Sequence, residues 1–167
     1  MGKLSNQSVL QKLSNKFGEG ISIPTEPYGL LTFETTKENI QAVLTFLKED
    51  SELRFNFLTD ITAVHYPESK LPIVVVYHLH SFYNNVRVRL KVALEDTNPV
   101  IPTATNLWDG ANWMERETYD FFGVNFEGHP NLVRILNVDD MTAFPMRKEF
   151  PLEDPNRVDK KDFFFGR

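Results

Sequence analysis

Val86-Arg87-Val88-Arg89-Leu90-Lys91-Val92-Ala93-Leu94-Glu95 alternates cleanly: Val86, Val88, Leu90, Val92 and Leu94 point one way, while Arg87, Arg89, Lys91 and Glu95 point the other. Side chains leave a pleated strand on opposite faces in turn, so this period of two marks a strand with one face buried and one open. The basic row reads first as a solvated face and second as a surface for a partner, and alternation alone does not choose between them. Working outward, Asn84-Asn85 is a turn signal, because asparagine tolerates left-handed backbone. Before it, residues 71–81 carry the continuous apolar run Ile73-Val74-Val75-Val76-Tyr77, the pattern of a strand covered on both faces. Pro67-Glu68-Ser69-Lys70 is another turn, and residues 55–66 ahead of it can run extended.

Nearer the amino terminus the period lengthens to that of a helix. Over residues 5–17, Ser5 can cap, Val9, Leu13 and Phe17 recur every four residues, and Gly18 and Gly20 stop the run. A short strand is expected over 30–34. Thr35 and Glu38 form a capping-box pattern ahead of Ile40, Val43, Leu44 and Leu47, which make one apolar stripe. Past Thr97-Asn98-Pro99, residues 101–108 read as a proline-interrupted connection and 109–122 as a third helix. Gly123 stands where a left-handed cap belongs. From Gly128 there is little regular periodicity: six of the ten prolines fall at or after Pro99, and charges of both signs sit among aromatics, Phe163-Phe164-Phe165 included, through Arg167. The expected architecture is α+β, a mixed, mainly antiparallel sheet with helices packed mostly on one face. Residues 1–127 form its core domain, and residues 128–167 an extended partner-binding tail.

A chain of 167 residues suffices for one domain. Its 18 Lys and Arg against 23 Asp and Glu leave a formal charge of −5, which argues against sequence-independent nucleic-acid binding. With no cysteine there is no disulfide framework, no cysteine-ligated zinc or iron–sulfur cluster and no thiol nucleophile. The longest aliphatic stretch, Ile73-Val74-Val75-Val76, falls far short of the ~20 residues of a spanning helix. Met1-Gly2-Lys3-Leu4-Ser5 lacks the apolar core of a signal peptide, so a cytosolic, reducing compartment is the simplest expectation. No phosphate loop, dinucleotide fingerprint, Gly-x-Ser-x-Gly elbow or His-Glu-x-x-His helix occurs, and no cofactor site is expected.

The densest polar cluster is Glu115-Arg116-Glu117-Thr118-Tyr119-Asp120-Phe121-Phe122-Gly123. On a helix Arg116 and Asp120 are one turn apart, and Glu117 and Asp120 are near neighbours. Three readings stand open: an exposed, ion-paired face; an acid–base or metal site completed by His129; or an anchorage for the following loop and tail, or for a partner. His78 and His80 share a strand face and read as a structural pair ahead of metal ligands or a partner contact. His65, at a strand end beside Tyr66 and Pro67, reads as turn packing.

A longer ordered pattern runs through these pieces. It comprises Leu58-Thr59-Asp60-Ile61-Thr62-Ala63-Val64-His65-Tyr66-Pro67 and Val76-Tyr77-His78-Leu79-His80-Ser81, then Asn112-Trp113-Met114-Glu115-Arg116-Glu117 through Gly123. It continues with Phe126-Glu127-Gly128-His129-Pro130, Arg134-Ile135-Leu136, Asp139-Asp140 and Pro145-Met146-Arg147-Lys148-Glu149-Phe150-Pro151-Leu152. The pattern resembles the signature of the C subunit of NADH:quinone oxidoreductase, respiratory complex I, the thirty-kilodalton subunit of mitochondria. The likeness covers roughly residues 35–152. Asn131 stands where that family usually has Asp, Met141-Thr142-Ala143 where it has a Trp-x-Gly region, and Glu149 where Asp is commoner.

The resemblance implies a non-catalytic core subunit of the peripheral arm, on the cytoplasmic side of the bacterial inner membrane. Such a subunit packs against the D subunit and near the B subunit, with membrane association indirect through the complex. FMN, iron–sulfur clusters and quinone sites are then expected on other subunits and no cofactor in this chain, while the assembly moves electrons from NADH to quinone and couples this to proton translocation. The interface and motif residues implied are Glu115, Arg116, Glu117, Asp120, Gly123, His129, Pro130, Arg134, Arg147, Lys148, Phe150, Pro151, Phe163, Phe164 and Phe165, none catalytic and none a metal ligand. Arg134, Arg147 and Lys148 are expected to meet carboxylates across the interface, and Phe144, Phe150, Phe163, Phe164 and Phe165 to fill pockets there. The residues leave open an equivalent subunit of a related membrane-bound hydrogenase or plastoquinone-reducing complex, a stand-alone acid–base or metal enzyme, a small binding module, and a homo-oligomer of the isolated chain.

Overall fold

The computed structural model describes residues 4–22 and 24–150; Pro151, Phe163, Phe164 and Phe165 lie outside the described residues. Helix α1 spans Asn6–Phe17, and Ser5 caps it as the sequence predicts: its hydroxyl accepts the Ser8 N–H, and the Ser8 hydroxyl accepts the Ser5 N–H. Strand β1 is Leu31–Thr35 and helix α2 is Ile40–Glu49. Here the Thr35–Glu38 spacing misleads. Thr35 ends β1, and its hydroxyl donates to Gly20 O at 2.7 Å, so it cannot cap; Asn39 precedes α2 with no side-chain cap.

Strands β2 (Phe57–His65), β3 (Ile73–Ser81) and β4 (Val86–Leu94) follow. Asn85 turns the β3–β4 hairpin at φ 54°. The sheet order is β1-β4-β3-β2, with β1 parallel to β4 and the other pairs antiparallel. Register gathers Leu31, Phe33, Val88, Leu90, Val92, Leu94, Ile73, Val75, Tyr77, Leu79, Ile61 and Ala63 on one face. These join Val9 and Leu13 of α1 and Ile40, Val43, Leu44 and Leu47 of α2 in one core, so the helices cover this face. Each fully buried aliphatic side chain there contributes about 1.5–3 kcal/mol.

The other face carries Glu34, Arg87, Arg89, Lys91, His78, His80, Asp60 and Thr62. Val76 is buried on it, yet stands outside the core cluster. Its registered neighbours on that face are Thr62 and Lys91, not the apolar second layer that its run predicts. Residues 101–108 are not wholly connection: β5 (Val100–Pro102) pairs in parallel with β6 (Asn125–Glu127), on either side of helix α3 (Ala111–Phe122). Helix α3 lies against β2, where Thr118 Oγ1 is 3.1 Å from Ile61 O. The fold is α+β, with a mixed, mainly antiparallel sheet.

Candidate functional site

The last four carbonyls of a helix have no partner within it and must find donors elsewhere. In α3 all four do. Tyr119 O accepts the Gly123 N–H at 2.8 Å, Asp120 O accepts Arg134 Nη1 at 2.9 Å, Phe121 O accepts the Met146 N–H at 3.1 Å, and Phe122 O accepts Arg147 Nε at 2.7 Å. Three of these donors come from residues 128–150, which fold back over the end of the helix. Two of them are guanidinium groups, whose charge suits the negative pole of the helix.

Asp120 is the centre of this clamp, and its side chain is fully buried. Its Oδ2 accepts the N–H groups of Ile135, Leu136 and Asn137 at 3.1, 2.8 and 2.9 Å. Its Oδ1 accepts Asn137 Nδ2 at 3.0 Å and Arg134 Nη1 at 2.7 Å. Burial alone pushes such a carboxyl up, but these donors outweigh it and hold Asp120 well below the usual carboxylate range. Arg134 continues to the carbonyls of Met141 and Ala143. Because those contacts are to backbone, the departure from the family pattern at Met141-Thr142-Ala143 leaves them intact.

Arg116, one turn from Asp120, does not pair with it. Its Nε and Nη2 donate to Val133 O and Arg134 O at 3.1 and 3.0 Å, tying down the same segment. Arg147 Nη1 reaches Asp96 Oδ1 at 3.0 Å. The Lys148 N–H donates to His65 Nδ1 at 2.9 Å, and His65 is buried on the core face of β2 rather than in turn packing. The Phe144 ring lies 6.0 Å from Tyr119 and about 5 Å from both guanidinium carbons of Arg134 and Arg147. It also fills the space over Gly123, which has φ 76°; a Cβ built there would stand 2.6 Å from Phe144 Cε2. Gly123→Ala is therefore expected to cost about 2–3 kcal/mol, from left-handed strain plus displacement of the ring, read as a fall in denaturation midpoint.

Arg134, Arg147 and Phe144 thus all have partners within the chain, besides the contacts with a neighbour expected from the character of the tail. The side chains of Lys148 and Phe150 are exposed, together with Val133, Leu136, Val138 and Met146. Glu117 and Pro130 are exposed as well. His129 accepts the Asn131 N–H at Nδ1, so its Nε2 carries the proton that faces Asn112 O at 3.1 Å.

Glu115 points the other way, into the core. Its two oxygens accept the Thr103 hydroxyl and the Ala104 N–H, each at 2.6 Å. It is wholly buried, and desolvation outweighs these two donors to push its pKa up to about 7. Glu115, Asp120 and His129 therefore serve three separate sets of partners instead of converging on one reacting group. Among the described residues no set of three His, Asp or Glu side chains is placed to hold a metal. His78 and His80 share the open sheet face, and the His80 ring packs against Phe82 at 4.5 Å. The roles of His65, Thr103 and Asp96, as partners of Lys148, Glu115 and Arg147, escaped the sequence reading. The one signal was alternation, which places His65 inward with Ile61 and Ala63.

These features define an α+β domain in which residues 128–150 are latched to α3 and turn apolar side chains outward. The family model for the respiratory-chain NADH dehydrogenase 30 Kd subunit matches residues 33–156. The C subunit of NADH-quinone oxidoreductase from Citrifermentans bemidjiense is 46% identical over 91% of this chain and 93% of its own. The protein of the same name from Roseiflexus sp. is 44% identical over 89% of this chain and 86% of its own. Among solved structures, the trypsin-resistant fragment (1-134) of Nqo5 superposes with a TM-score of 0.66 at 32% identity, covering 75% of this chain and 98% of that one. A chain of the archaeal membrane-bound sulfane sulfur reductase shares the fold, with a TM-score of 0.75 at 24% identity over 93% of this chain and 96% of its own. The chain belongs to the thirty-kilodalton, or C, subunit family of NADH:quinone oxidoreductase, respiratory complex I. Among the described residues, no helix is long and apolar enough to cross a membrane.

Proposed function

We propose that this chain is a non-catalytic scaffold in the peripheral arm of the complex, docked on the D and B subunits at the cytoplasmic side of the membrane. On this reading residues 1–127 form the supporting domain and 128–167 the docking segment, while FMN, iron–sulfur clusters and quinone are handled by other chains. The observation that carries the reading is the latched segment itself. Its arginines are consumed internally, while Val133, Leu136, Val138, Met146 and Phe150 are each between 42% and 64% exposed. An apolar set held outward on a pinned backbone suits docking, because little ordering entropy is left to lose on binding. The absence of cysteine agrees with electrons passing through other subunits.

Arg147→Ala removes one donor from the end of α3 and the Asp96 pair, a loss of about 1.5–3 kcal/mol. In membranes of the parent organism it is expected to lower the amount of assembled complex, while NADH:quinone turnover per assembled complex stays within about twofold of wild type. Truncation ahead of Phe163 should act in the same direction. Full complex abundance with abolished electron transfer would overturn the scaffold reading. Chemical cross-linking of the intact complex should join residues 128–150 to D or B.

A further inference from the structure

We propose that the open sheet face, at the end where Tyr28 stands beside Arg87 and Arg89, is a second docking surface that takes an acidic polypeptide segment of a neighbouring subunit. This rests on the chain being a subunit of the complex, but not on where its tail docks.

A cavity of about 330 Å³ opens here, lined by Pro27, Tyr28, Thr59, His78, Arg87 and Arg89 among others, with no carboxylate in its walls. Register sets Arg89 beside His78, with Asp60 beyond, and Arg87 beside His80, with Phe57 beyond. Arg134 and Arg147 are saturated with acceptors, and the contrast is sharp. Arg87 is exposed, Arg89 half-buried, and neither guanidinium makes an ion pair or hydrogen bond with another described residue. Burial and the Arg89 charge lower the His78 pKa against the opposing pull of Asp60, so the positive charge here belongs to the arginines. Two unpaired guanidiniums in a concave wall form a local positive site on a chain of net charge −5, and their planar donors match a carboxylate.

Tyr28 decides the class of occupant. It holds a left-handed backbone at φ 57°, unusual for a bulky residue, and its side chain is fully exposed. On the same face Phe57 and Phe82, 44% and 57% exposed, pack together at 4.8 Å. A small anion would need the guanidiniums and nothing more. Arginines flanked by exposed aromatics instead have the composition of protein interface anchors.

The test uses the assembled complex carrying Tyr28→p-benzoylphenylalanine, irradiated and mapped by mass spectrometry. The expected adduct lies on another subunit, directly beside an Asp or Glu. Adding Arg87→Glu and Arg89→Glu should cut its yield about tenfold or more. The melting temperature of the free charge-reversed chain should stay unchanged, because neither arginine holds anything within it. No adduct, an adduct on lipid or on this chain alone, or a yield indifferent to charge reversal would overturn the proposal. So would binding of inorganic phosphate to the free chain with no adduct in the complex, which would assign the cavity to a small anion. Loss of complex with Arg147→Ala alongside a missing Tyr28 adduct would retire this surface and leave the scaffold reading standing.

Discussion

Asp120→Ala is expected to destabilise the isolated chain by about 3–5 kcal/mol and to free residues 128–150 from the end of α3. The substitution strips three backbone N–H groups of their acceptor and leaves Arg134, whose side chain is 8% exposed, without its counter-charge. Urea denaturation reads the energy, and hydrogen exchange at the amides of Ile135, Leu136 and Asn137 reads the release. Asp120→Asn, which keeps the shape and loses the charge, should fall between wild type and alanine. The pH dependence has a definite sign. The folded-state pKa lies below the ordinary 3.8, so the unfolded chain takes up a proton first as pH falls. The stabilisation is complete well above pH 3.8 and drains away as acidity moves toward the folded value. Asp120→Asn should remove that acid limb. Wild-type stability and protection in Asp120→Ala would show that the latch is held by something else.

What could be read from the residues follows from the range of the forces involved. Strand β4, the Ser5 cap and the Gly123 stop depend on period or on neighbours within a few positions, and each stands where its pattern predicts. The Arg116–Asp120 pair fails for a related reason. One-turn spacing describes an isolated helix, but the returning chain offers Arg116 two carbonyls and offers Asp120 a second arginine with three amides. Those partners lie 14 to 18 residues away, and no periodicity records them. Thr35 has the spacing of a cap, but it ends the edge strand β1, where its hydroxyl donates to Gly20. Strands β5 and β6 hold three residues each, too short for alternation to register. The identity of the cluster residues was clear, and so was tethering as one of its readings. That the tether works by completing the hydrogen bonds of a helix end is a property of backbone geometry, which side-chain types report only indirectly.

Glu115, on the same helix, should respond to pH in the opposite sense. Asp120 has five donors around its oxygens and keeps its charge, whereas Glu115 has two and burial prevails. Its folded pKa of about 7 stands above the ordinary 4.5, so between those values the folded chain holds a proton that the unfolded chain has released. Raising the pH through that window therefore favours unfolding, by up to about 3 kcal/mol, with no further loss from this group once the folded carboxyl has ionised. Glu115→Gln keeps an oxygen for the Ala104 N–H and an amide facing Thr103, and it removes the charge. It should match wild type near pH 4.5 and exceed it by on the order of 2–3 kcal/mol at pH 8, read from urea midpoints across the range. Identical slopes in the two chains would assign the pH dependence elsewhere. Since Asp120 needs its charge and Glu115 its proton, these two groups together place greatest stability at about pH 4–5, with the Glu115 contribution lost on the alkaline side and the Asp120 contribution on the acid side.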